Sequence, residues 1–217
     1  MTTDLVRDYL VLPIYRHHYI GFESFRDFLL GSLDSIRDNS VFYLAVLDFN
    51  SDDLVQLERR GLRNRLPKFT VLIDNNTGTM IIKLMPGVAQ NRVSRLMNGF
   101  LRDRLVLLSL QRLLLPAGSA RMRFPTGLEK EPDEQLMPRT RNALTDYPSF
   151  VLEVGVSETL SQLRRDARLW LTNTNGRTRL VLIVALNKTR KLMRFERWEN
   201  SPNVVTRSTR SSTPTGT

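Results

Sequence analysis

Two carboxylates in the second half of the chain stand where a charge needs a partner. Glu153 is embedded in Phe150-Val-Leu-Glu-Val-Gly155, a short apolar run that reads as a buried strand. An unpaired carboxylate there would cost several kcal/mol. Asp133 follows Pro132 at the edge of the preceding strand and hairpin region, so it can approach Glu153 across neighbouring strands. Two such acids, with the main-chain carbonyl of Val154, make a donor set for Mg2+ or Mn2+ that keeps several waters. An ion of that kind activates water and neutralises charge on a phosphodiester. The same residue types also admit a plainer arrangement, in which Glu153 pairs with one of the many arginines and Asp133 caps a turn.

Composition narrows the chemistry. The chain has no cysteine, and His17 and His18 are its only imidazoles, which removes thiolate sites and disulfides and disfavours zinc. A metal must therefore sit on oxygens. The formal charge of +10 attracts polyanions, and the richness in arginine suits phosphate oxygens. Nucleic acid is the partner class this favours. The 217 residues, 41% of them hydrophobic, suffice for one well-buried domain. No apolar run reaches the roughly 18 to 20 residues that span a bilayer; residues 105–115, the greasiest stretch, are interrupted by Ser109, Gln111 and Arg112 and read as a buried helix. The N-terminus lacks the pattern of a secretory signal. No membrane and an intracellular, nuclear or cytoplasmic, setting are expected, and a homodimer is compatible with the sequence.

The elements that must position the acids follow from pattern. Residues 1–66 read as a helical lead-in packed on the core: Phe22, Phe25, Phe28, Leu29 and Leu33 share a helix face, and a second helix starts with Ser51 or Asp52 as cap. Residues 41–49 fit a strand or a buried helix equally. Residues 67–200 form the core. Phe69-Thr-Val-Leu-Ile-Asp74 and Thr79-Met-Ile-Ile-Lys-Leu84 flank the turn cluster Asn75-Asn-Thr-Gly78 as a hairpin. A helix begins near Val88, running on into the leucine-rich stretch until Pro116 and Gly118. A short strand over residues 120–124 leads to the polar segment Glu129-Lys-Glu-Pro-Asp-Glu134, and a loop bounded by Pro138 and Pro148 precedes the Glu153 strand. Leu160, Leu163, Ala167, Trp170 and Leu171 define an amphipathic helix capped by Ser157 or Thr159. Strands over residues 180–186 and 192–198 close the core. Residues 201–217, rich in Ser, Thr, Pro and Arg, read as a disordered tail.

The order of these parts resembles the PD-(D/E)XK restriction-endonuclease-like superfamily, most closely its branch of bacterial putative restriction endonucleases and related fungal proteins. The resemblance covers roughly residues 69–199. It is carried by Val71-Leu-Ile-Asp74, Gly78, Leu84-Met-Pro86, Glu131-Pro-Asp133, Tyr147-Pro-Ser-Phe-Val-Leu-Glu-Val-Gly-Val-Ser157 and the helix bearing Asp166 and Trp170. It implies an α/β fold with a mixed central sheet flanked by helices, and metal-dependent phosphodiester hydrolysis with Asp133, Glu153 and Val154 at the metal.

This sequence departs from that pattern where the superfamily carries a lysine two positions beyond the strand glutamate; Gly155 stands there. In the related branch the lysine is on the following helix, and its register lands on Asp166. Arg164, bordering the apolar stripe, is then the candidate cation, with Asp166 also in the catalytic set. Gln90 occupies a helix position that is often histidine in the family and reads as an exposed polar residue. Lys130, Arg165 and Arg168 are candidate phosphate contacts, Gln162 closes a capping box with Thr159, and His17 and His18 are structural. Three functions stay open: a metal-dependent nuclease, a nucleic-acid-binding module that has lost turnover, and a protein-interaction domain.

Overall fold

A computed structural model describes residues 4–34, 42–84, 88–141, 146–156, 160–187 and 190–200. Among them the chain forms a mixed α/β fold with two mixed sheets. In the first sheet, β1 (Arg16–His18), β2 (Phe42–Leu47), β4 (Thr79–Leu84), β3 (Phe69–Asp74), β7 (Leu128–Lys130) and β6 (Met122–Arg123) lie side by side in that order. Only the β1–β2 pair is parallel. The second sheet runs β11 (Leu192–Trp198), β10 (Leu180–Asn187), β9 (Phe150–Val156), β8 (Glu134–Pro138), β5 (Leu114–Pro116). Its β9–β10 pair is parallel and the strand that holds Glu153 is central, as expected.

The hairpin forms at the expected bounds because two β-rich runs flank a turn in which Gly78 takes a φ of +63°, open to glycine without strain. Residues 42–47 are strand β2, so the lead-in contributes two strands to the first sheet besides its helices α1 (Leu5–Asp8), α2 (Phe22–Asp34) and α3 (Ser51–Arg59). Asn50, rather than Ser51 or Asp52, caps α3, its side chain accepting from Asp52 N at 2.9 Å.

Side-chain alternation divides the core. On one face of the first sheet, Leu44, Val46, Phe69, Val71, Ile73, Met80, Ile82 and Leu84 pack with α2 and α3. On the other face Ala45, Leu72 and Ile81 pack with Leu5, Tyr9 and Val11. Helix α4 (Val88–Leu107) presents Val93, Met97, Leu101 and Leu105 to Phe150, Leu152 and Val154 of β9. Helix α5 (Leu160–Asn173) covers the opposite face through Leu163, Ala167 and Trp170, packed with Val151, Val181 and Ile183. Period-two alternation therefore places Glu153 with Val151 on the α5 side.

Two sequence expectations fail here. The leucine-rich stretch is not a buried helix: α4 ends at Leu107, and Leu107, Leu108 and Leu113 are exposed. The apolar count of the run is high, but of it only Leu105 and Leu114 pack in the cluster on the second sheet. Lys130, expected as a phosphate contact in the polar segment before Asp133, is not exposed either, since Glu129, Lys130 and Glu131 are all buried. Expectations that concern Ser157, Thr159, the Gln90 side chain and the 201–217 tail fall outside the described residues. No helix among the described residues is long and apolar enough to cross a membrane.

Candidate active site

The register of the second sheet brings the two acids together. Glu134 pairs with Leu152 across β8–β9, so Asp133, one residue earlier, stands beside the strand at Glu153 and Val154. Val154 N donates to Asp133 Oδ2 at 2.7 Å. The same carboxylate oxygen accepts from Lys83 Nζ at 3.0 Å, and that ammonium also donates to the Val154 carbonyl at 2.8 Å. The two oxygens expected to hold a metal thus converge on one point, and a lysine ammonium occupies it.

Glu153 turns toward the helix. Trp170 Nε1 donates to its Oε1 at 2.7 Å, and Lys130 Nζ lies 3.5 Å from the same oxygen. Lys130 lies closer to Asp166, 3.1 Å from its Oδ2; the other Asp166 oxygen accepts from the Tyr9 hydroxyl. Asp133, Glu153 and Asp166 belong to the second sheet and its helix, whereas Lys83 and Lys130 rise from β4 and β7 of the first. Three acids and two ammoniums therefore meet between the sheets. All five side chains are buried, beside a cavity of about 10 Å³ lined by Tyr9, Tyr43, Thr70, Lys83, Lys130 and Asp166, among others. That volume is about one water.

Electrostatics follow from this imbalance. Burial pushes the Glu153 carboxyl up to about 7; Lys130 pulls it back down, while Asp166 and Asp133 push it up further. Burial alone would lower Lys130, yet Asp166 and Glu153 raise it above the ordinary lysine value, so it stays an ammonium. The neutral form of Glu153 leaves the cluster balanced, two negative charges against two positive.

The remaining candidates are dispersed. Arg164 forms a two-pronged pair with Glu196 of β11, at 2.9 and 2.6 Å, on the outer side of α5. Arg168 is exposed, its carbonyl accepting from Thr172. Lys130 is inside the protein, and Arg165 lies at the edge of the cluster, donating to the Asp8 carbonyl. Gln162 donates to Tyr9 O at 2.9 Å. His17 stacks on Phe28 and His18 bonds to Asp48, both remote from the acids.

Lys83, Tyr9 and the indole of Trp170 are the participants that residue patterns did not single out. Lys83 was open to the argument that identified Glu153, because it is a lone charge inside Thr79-Met-Ile-Ile-Lys-Leu84. Tyr9 offers no such signal. Glu129 and Glu131, on either side of Lys130, are held by Arg121 and Arg123, and by Arg63, respectively. The alternating Glu-Lys-Glu is thus a paired, buried strand end.

Asp133 Oδ2 and the Val154 carbonyl are hard oxygen donors of the kind a divalent ion takes, and both are bonded to the Lys83 ammonium, while Glu153 Oε1 is turned to Trp170 and Lys130. Among the described residues no group of three or more His, Asp or Glu side chains is gathered as for a metal, so any such ion would rely on main-chain oxygen and water for its other ligands. No family model matches the chain, and no curated protein matches its sequence.

Proposed function

We propose that this chain is a nuclease-like domain of the PD-(D/E)XK type that acts on the phosphodiester backbone of DNA with Mg2+ or Mn2+. The observation that carries this reading is the convergence of Asp133 Oδ2 and Val154 O on a single cation position. Asp133 and Val154 would hold the ion, with Glu153 beside them. When bound, it would activate water and withdraw charge from the phosphate. The chain's own groups supply the rest. Glu153, titrating about 7, can exchange a proton near neutrality. Lys83 and Lys130 bring to the site the positive charge that Gly155 does not. A restriction-endonuclease-like core is part of the same proposal, supported by the central β9 strand between α4 and α5.

Thermal melting with increasing Mn2+, paired with a duplex cleavage assay, tests it. The wild type should gain stability by ligand linkage, about 3 kcal/mol at a hundredfold excess over Kd, and should cut. Asp133→Asn and Glu153→Gln, which keep side-chain volume, should lose both responses together. An ion-dependent rise that survives in both variants places the ion elsewhere and rejects the reading.

A second reading, a nucleic-acid-binding module without turnover, is favoured by the Lys83 ammonium itself, which already satisfies Asp133 and the Val154 carbonyl. Salt-sensitive DNA binding with neither cleavage nor an Mn2+ response would select it.

A further inference from the structure

The N-terminal segment lies directly over the charged cluster, and its contacts have an unusual composition. Leu5, Tyr9 and Val11 are buried on Ala45, Leu72 and Ile81. Leu10 and Leu12, which alternate with Tyr9 and Val11, are 68% and 58% exposed, so these anchors, with the half-buried Val6 beside them, hold a segment whose α-helix is four residues long. Arg16 donates to the Val11 carbonyl, and the polar attachments from α5 come from one side of that helix. Arg165 donates to the Asp8 carbonyl and Gln162 to the next carbonyl, that of Tyr9, at 2.9 Å. The Tyr9 ring has the Tyr43 ring 5.2 Å away between centroids, tilted by 49°, and the Arg165 guanidinium 5.8 Å from its centre. At the ring's edge the hydroxyl donates to Asp166.

Stripped of the peptide, what remains is a guanidinium and an amide aimed at successive acceptor oxygens, an aromatic ring and a cation beside the ring slot, and a carboxylate that takes an edge donor. These are the recognition elements of one unit of a nucleic-acid strand. The phosphate oxygens would take the place of the two carbonyls, the base that of the Tyr9 ring, and an exocyclic amino group that of the phenol. The arrangement opens onto the small cavity beside Lys83 and Lys130, so a strand seated there would lead to the candidate site.

The geometry points to a strand-binding subsite formed by Tyr43, Gln162, Arg165 and Asp166, which the N-terminal segment occupies in cis in place of single-stranded nucleic acid. This rests on the nucleic-acid part of the proposed function but not on its metal chemistry.

The test is fluorescence anisotropy of a short labelled oligodeoxycytidylate with the full chain in a chelator, so that loss of metal-dependent cleavage leaves the measurement intact. Leu5→Asp removes one apolar anchor, and Tyr9→Ala empties the ring slot without needing the segment to leave. Each variant should bind about tenfold or more tighter than the wild type, the scale of one base stacked on an aromatic ring. Adding Tyr43→Ala and Arg165→Gln should cancel that gain. Limited proteolysis near residues 5–15 reports release of the segment, and cooperative melting confirms the fold. Were Leu5→Asp to unfold the chain, Tyr9→Ala would decide alone. Equal affinity in wild type and variants overturns the proposal, as does a gain that persists without Tyr43 and Arg165. A confirmed subsite with no cleavage under any divalent ion would instead reject only the catalytic reading.

Discussion

Glu153→Gln gives the sharpest test of the buried charge balance. Burial holds the Glu153 carboxyl at about 7, against an ordinary value of 4.5 that it regains on unfolding. Between those values the folded protein keeps a proton that the unfolded chain has released. The stability this confers is fully present below about pH 4.5 and is lost as the pH rises through about 7. Linkage makes the gap worth about 3 kcal/mol, most of it spent between pH 5 and 8. Glutamine keeps an oxygen for the Trp170 indole, 2.7 Å away in the wild type, and has nothing to titrate. The stability difference, variant minus wild type, should therefore grow by about 2 to 3 kcal/mol from pH 5 to 8, or about 5 to 10 °C in Tm for a chain of this size. Denaturant or thermal unfolding of both proteins across that range, with chelator present, measures it, and contributions from other groups cancel in the difference. Parallel pH curves would refute the argument, because they would mean that Glu153 is ionised in the fold at little cost.

Three further outcomes are expected. Lys83→Met strips the ammonium from buried Asp133 and should cost about 3 to 5 kcal/mol in denaturant unfolding, with much of that recovered when Asp133→Leu is added; a loss below about 1 kcal/mol would show the pair to be dispensable. Trp170→Phe leaves the ring's packing largely in place but removes the donor to Glu153, so it should cost about 1 to 3 kcal/mol, and a neutral result would mean that the indole hydrogen bond carries no weight. DNA binding should weaken steeply between low and physiological salt, as counterion release from phosphates requires for a chain of charge +10; a flat response in a salt titration would exclude the basic surface as the source of affinity.

What could be read from the residues was whatever a local pattern determines. The hairpin over residues 69–84 has two β-rich apolar runs around a turn sequence, and β11 has a clear run, so both emerged with their bounds. Glu153 stood out because a charge in an apolar strand demands an explanation, and the central position of β9 agrees. The same logic applies to Lys83 yet loses force there, because a lysine can extend its stem through apolar surroundings and surface its head; nothing local says that this one stays inside. The burial of Glu129, Lys130 and Glu131 was hidden for a different reason. Each is charged, and its burial depends on partners outside the segment, such as Asp166, 36 residues away, for Lys130 and Arg63, 68 residues away, for Glu131, with Arg121 and Arg123 for Glu129. Arg164 shows the converse error: helix geometry located its side of α5 correctly, but β11 supplied Glu196 as a competing partner that outranked the acids of the site. Long-range pairing, not local preference, decides which charges go in.

The division of charges between the two sheets also bears on the order in which the chain assembles. Lys83 and Lys130 sit on one layer and the three acids on the other, so neither set finds its counterions while each sheet forms alone. Before docking, water must solvate all five groups, and stripping that water early would oppose the collapse that packs α5 onto β9. The ionic seam is therefore expected to close late, after the apolar faces have met, with φ values near zero for substitutions at Lys83 and Asp133. Interactions of that kind leave the folding rate nearly untouched and act on escape from the native state. In this protein the seam would serve as a latch, setting how long the two layers stay together more than how quickly they find each other.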